Sequence, residues 1–458
     1  MITRARAALL TVAAIGCAPP GDPVALPSIV PWTASLPEAS SLPSPRGATW
    51  QRAIVHLHSP WSHDACDGDP LPDGSPDPAC LADLRAGLCQ TRVDVAFVTD
   101  HPAYAADQEY LDLFHRQPGD EPELVDGAQV ASRIDCGDGH SVRWYPGIED
   151  ELMPVALDRH AGADPVENDA LYNAYTPEAV AADAAAGAAV LVAHTEGRAL
   201  SDLEWIQDAG GVGVEMFNLH AMFDPDIREL SLGLDGFGWL TDAGPFIDPD
   251  QDELEPDLMF LTVLQEQGPS VAAWDALLAR GPSVAVAGTD AHQNVLPGAA
   301  SDGERVDSYR RMMRWFSNHL QVMDEGPRGP EDALRAGRNW VVFEVLGTPV
   351  GLDFTLTDAA GVVYEVGSDA PPGTLDVGCP TLHPSSPRGP VDPEVRVLVL
   401  RDGQVWQEGC GSYEASAGHV YRVAVDQVPH HLAPFLGSVA DTWVVASPWA
   451  RSNAIRVR

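Results

Sequence analysis

The chain has 458 residues, and 67 acidic side chains against 27 basic ones give it a formal net charge of −40. All 27 basic residues are arginine, which excludes Schiff-base chemistry and a phosphate-loop lysine. This balance argues against a nucleic-acid surface, which needs a basic footprint, but it is compatible with a small-molecule substrate and with solubility outside the cytoplasm.

Arg4 and Arg6 precede an apolar run from Ala7 to Ile15 that is too short to span a membrane. This pattern predicts a signal peptide. It ends Ala14-Ile15-Gly16-Cys17, which resembles a bacterial lipobox, so residues 1–17 are expected to be a lipoprotein signal with lipid attached at Cys17. The protein would then be a bacterial cell-envelope lipoprotein, exported to the periplasm or the surface and touching the membrane only through that lipid. Six further cysteines, Cys66, Cys80, Cys89, Cys136, Cys379 and Cys410, form an even set that predicts disulfides in an oxidising compartment. Cys379 and Cys410 fall together in the last domain and are expected to pair, while the connectivity of the other four is open. Residues 18–50 are rich in Pro, Ser and Ala without apolar periodicity and read as a tether.

Residues 51–346 alternate short apolar strands with helical patterns, as α/β proteins do. Strands are predicted over 53–58, 93–99, 143–148, 188–193, 212–217 and 284–288. Helices are predicted over 176–186, where Thr176 caps, and over 201–208, 271–280 and 306–323. After Gly347 the pattern changes to short alternating strands, over 351–357, 362–366, 395–400, 420–425 and 442–446, with Asp402-Gly403 as a hairpin turn. Residues 347–458 therefore read as a small all-β, sandwich-like domain of about a hundred residues.

Metal-ligating residue types gather at the predicted strand ends. His56 and His58, at i and i+2 on one strand, point to the same face and can begin a metal site. His63 and Asp64 follow. Thr99-Asp100-His101, Gly147-Ile148-Glu149, Ala193-His194-Thr195, Glu215-Met216-Phe217-Asn218 and Gly288-Thr289-Asp290-Ala291-His292 end the next five strands. The C-terminal ends of the strands are the catalytic end of a (β/α) barrel.

With these motifs in this order the chain resembles the polymerase and histidinol phosphatase (PHP) superfamily. The resemblance rests on His-x-His-Ser-x-x-Ser from His56 to Ser62, Thr99-Asp100-His101, Gly147-x-Glu149, the strand-end His194 and Gly288-Thr289-Asp290-Ala291-His292, and covers residues 51–346. It implies a distorted (β/α)7 barrel holding two or three divalent ions, with zinc or manganese first and iron as an alternative. It further implies that His56, His58, Glu149 and Asp290 hold one metal and that Glu149 bridges to a second on His194. His101 and His292 would hold a third with His63 or Asp64. One departure stands out: Met153 takes the place of a histidine that many members carry after the glutamate, and a thioether is a poor ligand for zinc or manganese. His160 or His220 would have to substitute.

The expected activity is that of a phosphoesterase hydrolysing a small phosphomonoester or phosphodiester with a metal-activated water. Arg198 is the candidate phosphate clamp, and Asp100 or His220 the supporting group or proton donor. The alternatives are hydrolysis of an ester, amide or carbamate, and a surface-anchored binding lipoprotein that keeps its metals without turnover. Oligomeric state is left open.

Overall fold

The computed structural model describes residues 29–458; the expected signal peptide and Cys17 lie outside the described residues. Strand β1 (Thr49–Leu57) is an apolar run buried along most of its length. β2 (Val95–Asp100) and β5 (Ser141–Ile148) follow it on one side, with the hairpin β3 (Glu121–Val125) and β4 (Ala128–Asp135) paired onto β5. β6 (Met153–Val155), β7 (Ala189–Val192), β8 (Gly213–Asn218) and β9 (Val284–Ala291) complete the ring. The parallel order is β7–β8–β9–β1–β2–β5, and such doubly covered parallel strands read as continuous apolar runs. β6 pairs antiparallel with β7, Met153 opposite Leu191. It closes on β5 where Gly147 lies, because a Cβ there would sit 2.6 Å from the Pro154 carbonyl oxygen.

The register levels the strand ends. Val55 lies opposite Gly288, Thr99 opposite Gly147, and Asn218 opposite Gly288. Every predicted strand in this half is found, within a few residues. The helix over 176–186 is found as Pro177–Ala185, with the Thr176 hydroxyl accepting from the Ala179 amide. The one over 306–323 is not continuous: it ends at Trp315, and β10 (Ser317–Val322) follows. The stripe Met312, Trp315, Phe316 and Leu320 is buried as expected, but its second half is a strand held between β1 and β11 (Asn339–Val342). Asn318 fixes that choice, accepting from the Ala287 amide (3.0 Å) and donating to the Ala287 carbonyl (2.9 Å).

β11 also joins the C-terminal region to the ring. It pairs antiparallel with Ser447–Ser452, Val341 opposite Arg451, and that strand pairs with His419–Val428, which pairs with Glu394–Arg401. The sheet thus runs from the ring through β10 and β11 into the C-terminal region without a break. A second sheet of Val363–Glu365, Phe354–Asp358, Gly373–Val377 and Gly411–Ala415 adds Leu356 and Leu375 to the core that holds Val399, Val423 and Val425. The strand predicted over 442–446 is displaced: Ala440–Trp443 is helical and pairing begins at Ser447, which carries the fully buried Trp449. Asp402 and Gly403 turn the hairpin with φ of 54° and 77°, as a type I′ turn requires.

The tether expectation fails for the described part of residues 18–50. Leu36, Ala39 and Leu42 are buried, and the Trp32 indole donates to Asp257 (2.9 Å). Their irregular spacing among prolines hides them from a periodicity reading. Disulfides join Cys66 to Cys80, Cys89 to Cys136 and Cys379 to Cys410, which suits an oxidising compartment outside the cytoplasm. Among the described residues no helix is long and apolar enough to cross a membrane.

Candidate metal centre

The strand-end side chains converge. Three groups of donor atoms each lie within 4.8 Å of one another: His58, Asp64, His101 and His292; His56, His194 and Asp290; and His56, His58 and Glu149. All but Asp64, His101 and His194 are buried. The backbone is bent to aim them. His56, His194 and Asp290 have φ of 61°, 50° and 51°, a left-handed conformation that costs a non-glycine residue energy and gathers at functional sites. Register shifts at Val55/Leu57 and Glu215/Phe217 mark bulges of the kind that redirect side chains.

Four imidazoles, of His56, His58, His101 and His292, are tied at Nδ1 and turned inward at Nε2. His101 Nδ1 lies 3.0 Å from the Glu149 carbonyl oxygen and His292 Nδ1 2.9 Å from the Asp290 carbonyl oxygen. A carbonyl only accepts, so both rings are protonated at Nδ1. His58 Nδ1 meets the Ser62 hydroxyl (2.7 Å) and His56 Nδ1 meets Glu215 Oε1 (2.6 Å). Tying one nitrogen fixes the tautomer and frees the other for a metal. Glu215 Oε2 accepts from the His194 amide (2.9 Å) and from Asn218 (3.0 Å), so one carboxylate braces two histidines. Gly288 makes room for it, because a Cβ there would fall 1.8 Å from Glu215 Oε1.

The inward nitrogens face carboxylates rather than hydrogen-bond partners. His56 Nε2 and His58 Nε2 lie 3.4 and 3.3 Å from Asp290 Oδ1, and His194 Nε2 lies 3.4 Å from Asp290 Oδ2 and 3.5 Å from Glu149 Oε1. His292 Nε2 and His101 Nε2 lie 3.3 and 3.6 Å from Asp64 Oδ2. His56 Nε2, His58 Nε2 and His292 Nε2 are buried without any hydrogen-bond partner, an arrangement that costs about 1–3 kcal/mol per atom unless something fills it. Imidazole nitrogens and carboxylates aimed at shared points fit divalent cations.

The charges answer one another. Burial opposes ionisation of Glu149, but His101, His56 and His194 hold its carboxyl down to about 2. Burial would lower the His56 imidazole, yet Asp290 and Glu215 raise it to about 9. His58 is driven well down by burial and by His292 beside it, whose ring stacks at 3.7 Å.

Of the two candidates left open beside His101 and His292, Asp64 is the one drawn in; His63 is exposed, its ring 5.0 Å from that of His101. Met153 is buried in the inner apolar cluster with Leu191 and Val286 and belongs to none of the three groups. His160 is committed elsewhere, to the Tyr172 hydroxyl and the Gln108 carbonyl at 3.0 Å each. His220 does reach the centre, its Nδ1 3.7 Å from Asp290 Oδ2. Asp100 is buried, accepts from the Ser59 amide (2.6 Å) and hydroxyl (2.7 Å), and is pushed up to about 7 by burial; it holds the turn after β1. Arg198 is engaged by Glu151 and lies over the Tyr175 ring at 5.4 Å. Glu196 lies 3.5 Å from His194 Nδ1 without a hydrogen bond to it, and the braces Glu215 and Ser62 carry roles that the motif reading did not assign. Their signal was position alone: Glu215 closes a strand level with the ligands.

The chain matches no protein-family model and no curated protein. Solved structures similar to it include a two-domain protein containing a predicted PHP-like metal-dependent phosphoesterase from Bacteroides vulgatus, at 11% identity over 91% of this chain and 98% of that one, with a TM-score of 0.36. PsfC from Pseudomonas syringae is 14% identical over 62% of this chain and 88% of that one, with a TM-score of 0.33. The lesion-specific endonuclease PfuEndoQ from Pyrococcus furiosus is 12% identical over 69% and 64%, also at 0.33. These likenesses are distant.

Proposed function

We propose that the chain is a metal-dependent hydrolase of the PHP type, acting on a small phosphomonoester or phosphodiester. The observation that carries this reading is the set of imidazoles tied at Nδ1 whose Nε2 atoms, three of them buried and unpartnered, face shared carboxylates. Divalent ions bound there supply Lewis acidity and activate water for ester hydrolysis. His56, His58, Glu149 and Asp290 would hold one ion, His194 with Glu149 a second, and His101, His292 and Asp64 a third. His220, about half exposed and 3.7 Å from Asp290, is placed to pass a proton to a departing alcohol. Asp100 acts through Ser59 by holding the His56–His58 turn, and Glu215 holds His56 and His194 in line.

A second reading, hydrolysis of an ester, amide or carbamate, is favoured by Arg198, whose guanidinium is occupied by Glu151 instead of being free to clamp a phosphate. The test loads the protein with zinc or manganese, counts bound metal and follows bis(4-nitrophenyl) phosphate against 4-nitrophenyl acetate, with Asp290→Ala as the control. Two or three metals per chain and phosphodiester hydrolysis lost in the variant are expected. A preference for the acetate would move the protein to the second reading. Failure to take up metal would sink both.

A further inference from the structure

A cavity of about 240 Å³ opens beside the centre, between the segments that follow β8 and β9. Asp290, His292 and His220 line it on the side of the metal ligands, and Phe223, Pro225, Val295 and Met312 give it apolar walls. Asp224 adds a carboxylate: one oxygen accepts from the Ile227 amide (2.9 Å) and the other lies 3.8 Å from His220 Nε2. The other lining acid, Asp307, is already used, accepting from the Val295 and Leu296 amides at 2.8 and 2.9 Å and from Arg305. Among the described residues no arginine lines the cavity, and the chain has no lysine, so the basic groups of that lining are imidazoles.

We infer that this cavity seats an apolar group of the substrate that is uncharged or carries an ammonium, and that it turns away a carboxylate or a second phosphate. The volume, at about 30 Å³ per water-sized group, suits a small ring or a short branched chain. An anion placed at the Asp224 end would face that carboxylate with no arginine or lysine among the described lining residues to answer it, and the ions that Asp290 and His292 would hold are engaged by the ligand carboxylates and the reacting phosphate. At about 6 Å and an effective dielectric of 20 to 40, that repulsion disfavours an anion by about tenfold or more, and an ammonium gains correspondingly. Phe223, among the lining residues, adds an aromatic ring to the apolar wall. The inference rests on the hydrolase reading for what happens to the substrate, but not for what the cavity holds.

The test uses zinc-loaded protein and aryl methyl phosphodiesters bearing para-methyl, para-trimethylammonio or para-carboxylate groups, each kcat/KM divided by the uncatalysed rate of that ester. The carboxylate ester should fall at least about tenfold below the other two. Asp224→Asn should shrink the ammonium-over-carboxylate ratio about tenfold. Val295→Arg, at a side chain that is half exposed, should reverse the preference toward the carboxylate. Equal handling of the three esters, or a ratio that neither variant moves, would overturn the inference. Calorimetric titration of the metal-free protein with benzyltrimethylammonium and with benzenesulfonate reads the seat without turnover and without an ion for the sulfonate to bind. Ammonium binding that Asp224→Asn weakens supports the seat even where no ester is hydrolysed, a result that would defeat the proposed function alone. Equal binding of both probes, or of neither, overturns the seat.

Discussion

Replacing Gly288 with alanine should disable metal binding without touching a ligand. The new Cβ would lie 1.8 Å from Glu215 Oε1 and 3.2 Å from His56 Cβ, whereas real Cβ atoms keep beyond 3.0 Å. The carboxylate must therefore retreat by at least about 1.2 Å, the difference between those distances. Its 2.6 Å bond to His56 Nδ1 would then stretch past hydrogen-bonding range. Loss of such a brace behind a metal-ligating histidine lowers metal affinity about 10–100-fold, which corresponds to about 1.4–2.8 kcal/mol. The displaced carboxylate, fully buried, adds about 1–3 kcal/mol of lost stability in the metal-free protein. Competition against a chelating dye measures the first quantity and urea unfolding the second. Shortening the acid in the same background, Gly288→Ala with Glu215→Asp, gives the carboxylate room to retreat and should recover part of the affinity, so that the two changes are not additive. An alanine variant that binds zinc as tightly as the parent would refute the bracing argument.

Three further outcomes are expected. His220→Ala should lower kcat by about 10²–10⁴-fold while metal content by elemental analysis stays as in the parent; parallel loss of metal would make His220 a ligand instead. Glu344 is fully buried between Arg52 (2.9 Å) and His319 (2.6 Å), and although burial opposes its ionisation those two partners hold its carboxyl well below the usual range. Its folded pKa lies below the unfolded value of about 4.3, so the stability it contributes is present above that pH and is lost as pH falls below it. Glu344→Gln should cost about 3–5 kcal/mol at neutral pH by stranding a buried charge, with the gap to the parent narrowing below about pH 4; a gap unchanged at low pH would contradict this. Reducing Cys66–Cys80, which closes a 14-residue separation, should cost about 3 kcal/mol and weaken metal binding near His292. The loop it ties down donates from the Cys66 amide to the His292 carbonyl (3.0 Å) and from the Asp67 amide to Gln293 (2.9 Å). The checks are the melting temperature and dye competition with and without reductant.

The ring of strands was legible because parallel strands buried on both faces announce themselves as apolar runs, and because each run stops at a polar ligand type. His56, Asp100, Glu149, His194 and Asp290 mark those stops. The two halves of 306–323 were not separable, since Met312, Trp315, Phe316 and Leu320 satisfy a helical period while Asn318 chooses the strand through bonds to Ala287, 31 positions away. Residues 29–48 were misread for a related reason: burial of Trp32, Leu36 and Leu42 depends on partners such as Asp257, not on any local rhythm. The centre divides in the same way. Ligand types are chemistry and can be read in order, but Glu215 gains its role only when the register of β8 against β9, which puts it opposite Val286, lets its carboxylate reach the space left by Gly288.

The continuous sheet from β1 through β10 and β11 into Ser447–Ser452 has a consequence for how the protein can be cut. A truncation after residue 346 would leave β11 as a bare edge of Asn339, Trp340, Val341 and Val342, all buried in the whole chain. Such an edge, flat and apolar with open amides, is a template for pairing with a second molecule. The C-terminal region therefore serves the half that holds the candidate metal centre as a permanent cover against self-association, and the two halves should melt together in one transition.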